Sequence, residues 1–243
     1  MQRYFGTVKD QKGFLSPADV HHLLDVMRSQ AGETIELVDE GDLYEAKIVS
    51  TNPLQIAIIG LKNRESELPN KLLLAFALLK HGNDELIFEK GTELGVSDFY
   101  PFISSRTIIR LEGEKDKEKK RAREEKIVKG ASEQSKRKIV PMVHPILDYR
   151  ALLGTEADLK LFAYENESEE VASLPRVLSG LKPGESCLIV IGPEGGFSPE
   201  EAAEAKEKGF QFVSLGKRIL RAETAALYSA SVFSYHVESE AAK

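Results

Sequence analysis

The sequence is short of the residues from which disulfides and metal sites are built. Its 243 residues include one cysteine, Cys187, and five histidines, with neither an HExxH motif nor a paired CxxC motif. A single cysteine excludes a disulfide within the chain, and the missing motifs argue against a catalytic zinc ion. We therefore expect no metal site.

Long apolar runs are also absent. The longest, residues 72–79, is much too short to span a bilayer. The opening residues, MQRYFG, lack the apolar core of a signal peptide. We therefore expect a cytoplasmic protein that does not associate with membranes.

The chain has no excess of positive charge. Its formal net charge is −6, which argues against indiscriminate binding of nucleic acid. Any RNA contact must use a local basic patch. With 42% hydrophobic and 30% charged residues, the chain is typical of a globular protein, and its length commonly corresponds to two domains.

The first part of the chain is predicted to be a compact β-rich unit. Ser16 and Pro17 indicate a helix start, and three strand patterns follow at residues 34–38, 43–50 and 54–61. Small barrels of this kind frequently bind RNA, although barrels serve many functions. Residues 63–70 are polar, contain Pro69, and are predicted to be a linker.

From Lys71 onward, strands alternate with helices, which is typical of an α/β sheet with crossover helices. Strands are predicted at residues 71–79, 99–103 and 159–164, with a helix at residues 84–94 that contains Gly91. A glycine inside a helix costs about 1 kcal/mol, so we expect a bend or unusually close packing there. The charged run 112–126 favours a solvated helix face or a flexible excursion, and residues 165–170 form an acidic stretch.

The first of two glycine-bearing loops follows a buried strand predicted at residues 187–191. Gly192-Pro193-Glu194-Gly195-Gly196 then allows a ligand to lie directly against backbone amides. Ser198, Pro199 and Glu201 form a capping box that starts a helix ending near Gly209. A plain strand-turn-helix connection is the alternative, but the Glu194 in the loop favours a functional site.

The second loop, residues 216–222, follows a short strand and precedes a long helix. Lys217, Arg218 and Arg221 can meet an anion, while Ile219 and Leu220 can cover an apolar ligand face. Both loops should open at the same edge of the sheet. Since the P-loop and GxGxxG motifs are absent, standard triphosphate or dinucleotide chemistry is not indicated.

The two loop sequences, IGPEGGFSPEE and LGKRILRAETAAL, strongly resemble the RsmE family of bacterial 16S ribosomal RNA uridine-N3 methyltransferases in the SPOUT superfamily. The segments FEKGTELGV and ASEQSKR resemble further motifs of that family. The resemblance implies an α/β SPOUT-type domain at residues 71–243 with a deep trefoil knot that binds S-adenosylmethionine. It also implies a PUA-like RNA-recognition domain at residues 1–68, a homodimer, and 16S ribosomal RNA or the small ribosomal subunit as partner.

The resemblance also assigns site residues. The knot loops would hold the cofactor, and Phe162 and Ala163 could wall its pocket because they end a strand. The expected cofactor-binding residues are Phe162, Ala163, Gly192, Pro193, Glu194, Gly195, Gly196, Leu215, Gly216, Ile219, Leu220, Arg221, Glu223, Thr224 and Ala225. The expected RNA-binding residues are Arg3, His22, Arg28, Gln134, Arg137, Lys217 and Arg218. We also expect Gln134 and Arg137 to share one helical face, because they lie three residues apart.

Methylation of uridine N3 requires a group that accepts the N3 proton or stabilises the anion left behind. Arg221 is the first candidate for orienting the base or stabilising that charge. Glu194 or Glu223 could accept the proton, or could contact hydroxyl or ammonium groups of the cofactor instead.

Three other functions are compatible with parts of this pattern. The first is a SPOUT methyltransferase acting on a ribose 2′-hydroxyl or on another base. The second is a non-catalytic RNA-binding adaptor, which the intact glycine loops disfavour. The third is an α/β nucleotide-binding enzyme, which the missing phosphate motifs disfavour.

Overall fold

The structure, a computed structural model, describes residues 1–109, 113–164 and 171–241. The chain forms two compact units, one made of Met1–Glu67 with Ser132–Ile139 and the other of Leu68–Ala131 with Val140–Lys243. The segment Ser132–Ile139 therefore groups with the first unit, although it lies inside the range predicted for the second domain. The acidic stretch 165–170 and the first residue of the charged run, Glu112, lie outside the described residues.

The first unit is a curved six-stranded sheet with one helical segment. Its elements are β1 (Arg3–Phe5), β2 (Thr7–Lys9), β3 (Lys12–Phe14), α1 (Pro17–His21), a π-helical turn (His22–Val26), β4 (Thr34–Asp39), β5 (Asp42–Thr51) and β6 (Leu54–Leu61). The strand order is β1-β4-β5-β6-β3-β2. The three predicted strands correspond to β4, β5 and β6, whereas the first three strands were not predicted.

Gly6 closes this sheet into a barrel. It is the only residue between β1 and β2, which stand at opposite ends of the strand order, so the sheet must curve until its ends meet. The Gly6 N–H donates to the carbonyl of Val38 at 2.9 Å, and the Val8 N–H donates to Oδ2 of Asp39 at 2.8 Å. A Cβ atom at Gly6 would collide with the carbonyl oxygen of Phe14, which explains the glycine.

The interior of the barrel combines apolar packing with polar pairs. Tyr4 is buried, and its hydroxyl lies 3.0 Å from Nδ1 of His22. Burial raises the pKa of Tyr4 to about 12, with the charges of Glu133 and Asp19 adding to the effect. The apolar core consists of Tyr4, Leu23, Ile35, Leu37, Ala46, Ile48 and Ile56.

The second unit is an α/β layer with a parallel sheet. Its elements are β7 (Lys71–Ala77), a 3₁₀ turn (Lys80–Gly82), α2 (Asn83–Glu93), β8 (Asp98–Ile103), α3 (Glu114–Ser135), β9 (Met142–Val143), β10 (Leu147–Asp148), α4 (Tyr149–Leu153), β11 (Leu159–Ala163), β12 (Ala172–Ser173), α5 (Leu174–Leu178), β13 (Ser186–Ile191), α6 (Pro199–Glu207), β14 (Gln211–Ser214) and α7 (Ala222–Ala241). The strand order is β10-β8-β7-β13-β11-β14-β12, with β9 beside β8. Every strand pair described in this sheet is parallel.

The central strands of this sheet are covered on both faces. Residues 72–79 and 187–190 are buried throughout, as expected for continuous apolar strands. Helices α2 and α5 both pack against α7, and α7 contacts β7 and β13. None of the helices within the described residues combines the length and the apolarity needed to cross a bilayer.

Candidate active site

A cleft of about 810 Å³ opens at one edge of the parallel sheet. Because the strands run in one direction, the loops that follow β7, β8, β11, β13 and β14 all reach this edge, where α/β proteins bind ligands. The lining residues are Lys80, Asn83, Arg106, Ala163, Tyr164, Ile191, Gly192, Pro193, Glu194, Gly195, Gly196, Phe197, Val213, Leu215, Ile219, Leu220, Arg221, Ala222, Glu223 and Ala225.

A second hollow, of about 850 Å³, lies at the other edge of the sheet. Asp158, Glu185 and Gln211 line it, and these residues stand at or just before the starts of β11, β13 and β14. It contains neither glycine loop. The cleft at the carboxyl ends of the strands is therefore the candidate active site.

The first glycine loop runs from the end of β13 to the start of α6. The predicted capping box is present: the Glu201 N–H donates to Oγ of Ser198 at 3.2 Å, and the Ser198 N–H donates to Oε2 of Glu201 at 2.9 Å. Gly196 has φ +66°, and a Cβ atom at Gly192 would lie 2.8 Å from the ring of Phe197. The glycines thus permit the turn and the close approach of Phe197.

The second loop joins β14 to α7. Gly216 has φ +119°, and the Gly216 N–H donates to Oγ of Ser214 at 3.2 Å. Lys217, Arg218 and Arg221 are exposed. The Ile219 side chain next to them is 89% exposed, which is unusual for an isoleucine.

The two ends of the cleft differ in chemistry. The end formed by β11, β13, β14 and α7 carries an apolar set: Ala163, Ile191, Val213, Leu215, Leu220 and Ala225. The end formed by the loops after β7 and β8 carries Lys80, Asn83 and Arg106. Such a cleft can hold an apolar ring at one end and an anionic group at the other.

Hydrogen bonds tie the first glycine loop to both polar neighbours. The Lys80 N–H donates to Oε1 of Glu194 at 3.1 Å, and Nη1 of Arg106 donates to the carbonyl of Gly195 at 3.0 Å. The Glu194 carboxylate is therefore already engaged by a backbone amide. This arrangement fixes the loop and places the Arg106 guanidinium beside it.

Comparison with known proteins identifies the family. The family model described as "RNA methyltransferase domain" matches residues 66–234, and the model described as "RNA methyltransferase PUA domain" matches residues 15–59. The chain is also 38% identical over 252 residues to the ribosomal RNA small subunit methyltransferase E of Bacillus subtilis, covering 98% of each chain. This chain belongs to the ribosomal RNA small subunit methyltransferase E family.

Solved structures of similar proteins include two that hold the methyl donor. The methyltransferase E of Neisseria gonorrhoeae, bound to S-adenosyl methionine, has a TM-score of 0.84 at 30% identity, with 97% of each chain covered. A putative methyltransferase from Legionella pneumophila, in complex with the same cofactor, has a TM-score of 0.85 at 29% identity, with 96% of each chain covered. The predicted α/β fold with an N-terminal PUA-like domain is confirmed, while the knot stays a prediction.

Within this methyltransferase E fold, most of the predicted cofactor residues meet in one cleft. The exceptions are Phe162, Gly216 and Thr224, which do not line it. Phe162 is fully buried, and its ring centroid lies 4.1 Å from that of Phe197, so it supports the cleft wall from beneath. Gly216 and Thr224 are exposed.

Several lining residues were not predicted. Lys80 and Asn83 follow β7, Arg106 follows β8, and Tyr164 directly follows β11. The rule that ligands bind beyond the carboxyl ends of parallel strands could have identified them. No local motif marks these residues.

The residues predicted to contact RNA occupy two kinds of position. His22, Arg28 and Gln134 in the first unit are at least partly exposed, and Lys217 and Arg218 in the second unit are exposed. Arg28 has φ +55°. These five residues stay predicted RNA contacts.

The prediction that Arg3 and Arg137 contact RNA is corrected, because both side chains are buried in ion pairs within the protein. Nη2 of Arg3 lies 2.9 Å from Oε2 of Glu36, and Nη2 of Arg137 lies 2.7 Å from Oε2 of Glu67. Arg3 is 2% exposed and Arg137 is 4% exposed. Neither guanidinium can reach RNA in this conformation.

The expectation that Gln134 and Arg137 share a helical face is wrong. α3 ends at Ser135, and Lys136 has φ +65°, a left-handed conformation that turns the chain. Gln134 is exposed in the last turn of the helix, whereas Arg137 lies beyond it and is buried.

Proposed function

We propose that this protein transfers a methyl group from S-adenosylmethionine to N3 of a uridine in the 16S ribosomal RNA of the small subunit. The observation that carries the proposal is the meeting of both glycine loops in one cleft at the carboxyl edge of the sheet. Relatives over nearly the whole chain are named small-subunit ribosomal RNA methyltransferases, and one of them was solved with S-adenosyl methionine.

The cleft has the chemistry that this methyl donor requires. Leu215, Leu220 and Ala225 offer an apolar surface to an adenine ring, and Gly195 and Gly196 carry no side chain that would keep a ligand from their backbone. Glu194 and Glu223 supply carboxylates for hydroxyl or ammonium groups. When bound, S-adenosylmethionine supplies a methyl group activated by a positively charged sulfur.

We assign the reaction to Arg221, Glu194 and Glu223, which all line the cleft. Arg221 orients the uracil or stabilises its negative charge. Glu194 or Glu223 accepts the N3 proton or holds the cofactor. The cleft walls exclude water and keep N3 in line with the methyl carbon and the sulfur.

The deep trefoil knot belongs to the same proposal. β11 lies between β13 and β14 in the sheet, and α7 leaves β14 to pack against β13 and β7. This return of the chain across earlier strands is the arrangement in which the two glycine loops would thread through one another. The knot would hold both loops in place without a disulfide.

RNA binding is assigned to the PUA-like unit and to the basic loop beside the cleft. His22, Arg28 and Gln134 serve the first surface, while Lys217 and Arg218 serve the second. Binding by such local patches should weaken steeply with salt despite the net charge of −6. The partner is 16S ribosomal RNA or the small ribosomal subunit.

A homodimer completes the proposal. Tyr228 and Tyr235 lie two turns apart on α7 and are 39% and 75% exposed, and Ile219 at the cleft is 89% exposed. A second copy of the chain packed on this surface would bury these apolar side chains and cover the lip of the cleft.

The function can be tested with labelled cofactor. The purified protein is incubated with methyl-labelled S-adenosylmethionine and either unmodified small-subunit particles or deproteinised RNA, and the methylated nucleotide is then located. We expect one N3-methyluridine in 16S ribosomal RNA. Methylation of a ribose hydroxyl or another base would contradict the assigned target, and cofactor binding without transfer would indicate an adaptor.

Arg221→Ala tests the assigned chemistry within the same assay. We expect a loss of transfer with cofactor affinity retained in calorimetry, because the guanidinium is assigned to the uracil. Arg176→Ala, at an exposed arginine near the opposite edge of the sheet, is the matched control. Full methylation by Arg221→Ala would remove this residue from the mechanism.

A further inference from the structure

Arg106 is an exposed arginine held in a loop that is fixed from within. The loop follows β8, and its base is a buried pair, Ser104 and Thr107. The Ser104 N–H donates to Oγ1 of Thr107 at 2.9 Å, and the Thr107 N–H donates to the carbonyl of Ser104 at 3.2 Å. An exposed arginine that only increases solubility does not require a turn stabilised by hydrogen bonds between buried residues.

A second set of contacts fixes this loop to the glycine loop. Oε1 of the buried Glu201 accepts from the Ser105 N–H at 2.8 Å, while Oε2 of the same carboxylate caps α6. Nη1 of Arg106 donates to the carbonyl of Gly195 at 3.0 Å, and a Cβ atom on Gly195 would lie 3.4 Å from Cβ of Arg106. Arg106 is thus held at the cleft wall by partners distant in sequence.

The proposed reaction needs a fixed positive charge beside the uracil ring, and Arg106 lines the cleft in which that reaction is proposed to occur. Uridine N3 is nucleophilic only when its proton has left, and the charge then spreads to the carbonyl oxygens on either side. Positioned donors that meet developing charge are commonly the largest contribution to a rate enhancement. The Glu194 carboxylate already accepts a hydrogen bond from the Lys80 N–H, so one of its oxygens is engaged within the protein.

We propose that Arg106 is a catalytic residue that binds the uracil carbonyl oxygens and stabilises their negative charge as N3 ionises. This inference rests on the proposed function. The N3 proton passes by way of Glu223 or Glu194 to solvent, the N3 lone pair forms the bond to the methyl carbon, and the carbon–sulfur bond breaks to leave a neutral thioether. One N–H of the guanidinium is used by Gly195, which leaves others to donate to the base.

The test is the pH dependence of single-turnover methylation at saturating cofactor and RNA. A cation beside the ring lowers the pKa of uridine N3, so its loss should shift the rising limb of the profile to higher pH. We expect Arg106→Gln to be about 100-fold slower at neutral pH, with a deficit that shrinks as pH rises. Arg106→Lys should restore part of the rate and of the shift.

Two controls separate this role from others. Arg150→Ala removes an exposed arginine paired with Glu204 of α6 and should leave the rate and profile unchanged. Calorimetry with S-adenosylmethionine should give the same affinity for the Arg106 variants as for the parent protein. Thermal unfolding confirms that each variant is folded.

Two results would overturn the inference while leaving the proposed function intact. The first is weaker cofactor binding by the Arg106 variants with an unchanged pH profile, which would confine the guanidinium to holding the glycine loop or the methyl donor. The second is weaker RNA binding with an unchanged pH profile at saturation, which would place it on a phosphate. Failure of the parent protein to methylate uridine N3 would remove both proposals and is detected first, by mapping the product.

Discussion

Gly91 and Gly130 are both interior glycines of helices, but their surroundings are opposite. A Cβ atom at Gly91 in α2 would lie 2.9 Å from Cε1 of Phe99, whereas a Cβ atom at Gly130 in α3 would meet nothing within 4 Å. The expectation of close packing at Gly91 is confirmed. Gly91 brings α2 close to β8, while Gly130 has no comparable steric reason.

This contrast predicts stability changes of opposite sign. Alanine gains about 1 kcal/mol over glycine in helix propensity, but overpacking a core costs about 1–3 kcal/mol. We expect Gly91→Ala to lower the free energy of unfolding by about 1 kcal/mol and Gly130→Ala to raise it by about 0.5–1 kcal/mol. Urea unfolding measures both, and stabilisation by both substitutions would contradict the account of Gly91.

The predictions made for single residues succeeded where the cause was local. Ser198 and Glu201 form a capping box that four consecutive residues determine, so the sequence predicts it correctly. Lys80 and Arg106 were missed because their contacts are to Glu194 and Gly195, which lie 114 and 89 residues away in sequence. Burial of a charged side chain likewise depends on distant partners.

Among the elements, α3 shows how a charged run becomes part of a packed structure. Lys120 and Arg123 form ion pairs with Asp84 and Glu85 in the first turn of α2. Glu124 is buried, and its Oε1 lies 3.0 Å from Nζ of Lys120. The run was predicted to be a solvated face or a flexible excursion, and one side of it instead forms ion pairs with α2.

Burial raises the pKa of Glu124; the charge of Lys120 opposes this effect, and the charges of Asp84 and Glu85 add to it. A carboxyl whose pKa is raised by folding stabilises the protein below its unfolded pKa of about 4.5, and this contribution is lost as pH rises through the folded pKa. At neutral pH, ionisation of the buried Glu124 therefore lowers the free energy of unfolding.

The expected result concerns the difference in unfolding free energy between Glu124→Gln and the parent protein. It should shift in favour of the variant as pH rises from 4 to 7, because glutamine does not ionise. Glu125→Gln, at a half-exposed neighbour paired with Arg121, is the control and should show a much smaller shift. A difference that moves in favour of the parent protein would contradict the burial argument.

At the scale of the whole molecule, the α/β fold class of the second unit was easier to predict than the closure of the first unit into a barrel. Continuous apolar strands and capped helices are visible in the sequence, so the parallel sheet was predicted. The barrel depends on β1, β2 and β3, which have three residues each and carry too little periodicity to recognise. Gly6 closes the barrel through contacts that no local pattern shows.

The grouping of Ser132–Ile139 with the first unit was missed for a similar reason. Backbone carbonyls of Lys136 and Arg137 accept hydrogen bonds from Nη1 of Arg3, and Oε1 of Glu67 accepts from the Lys138 N–H. A sequence read in order assigns such a segment to the domain that surrounds it. Only the folded chain brings its partners together.

The last prediction concerns assembly. Thr224, Tyr228, Ser231 and Tyr235 are all exposed and recur at helical spacing along one side of α7. A second copy of the chain covering this side would bury the two tyrosines. We expect a dimer in sedimentation velocity, and we expect Tyr235→Glu to favour the monomer because a charge would be buried at the interface.

Ile59→Glu provides the matched control, since it places the same charge on an exposed apolar residue of the first unit and should leave the dimer intact. Because Ile219 lies at the cleft, loss of the dimer should also slow methyl transfer. Thermal unfolding without cofactor should show that the Tyr235→Glu variant remains folded. A parent protein that sediments as a monomer and methylates RNA at full rate would show that the exposed side of α7 serves another purpose.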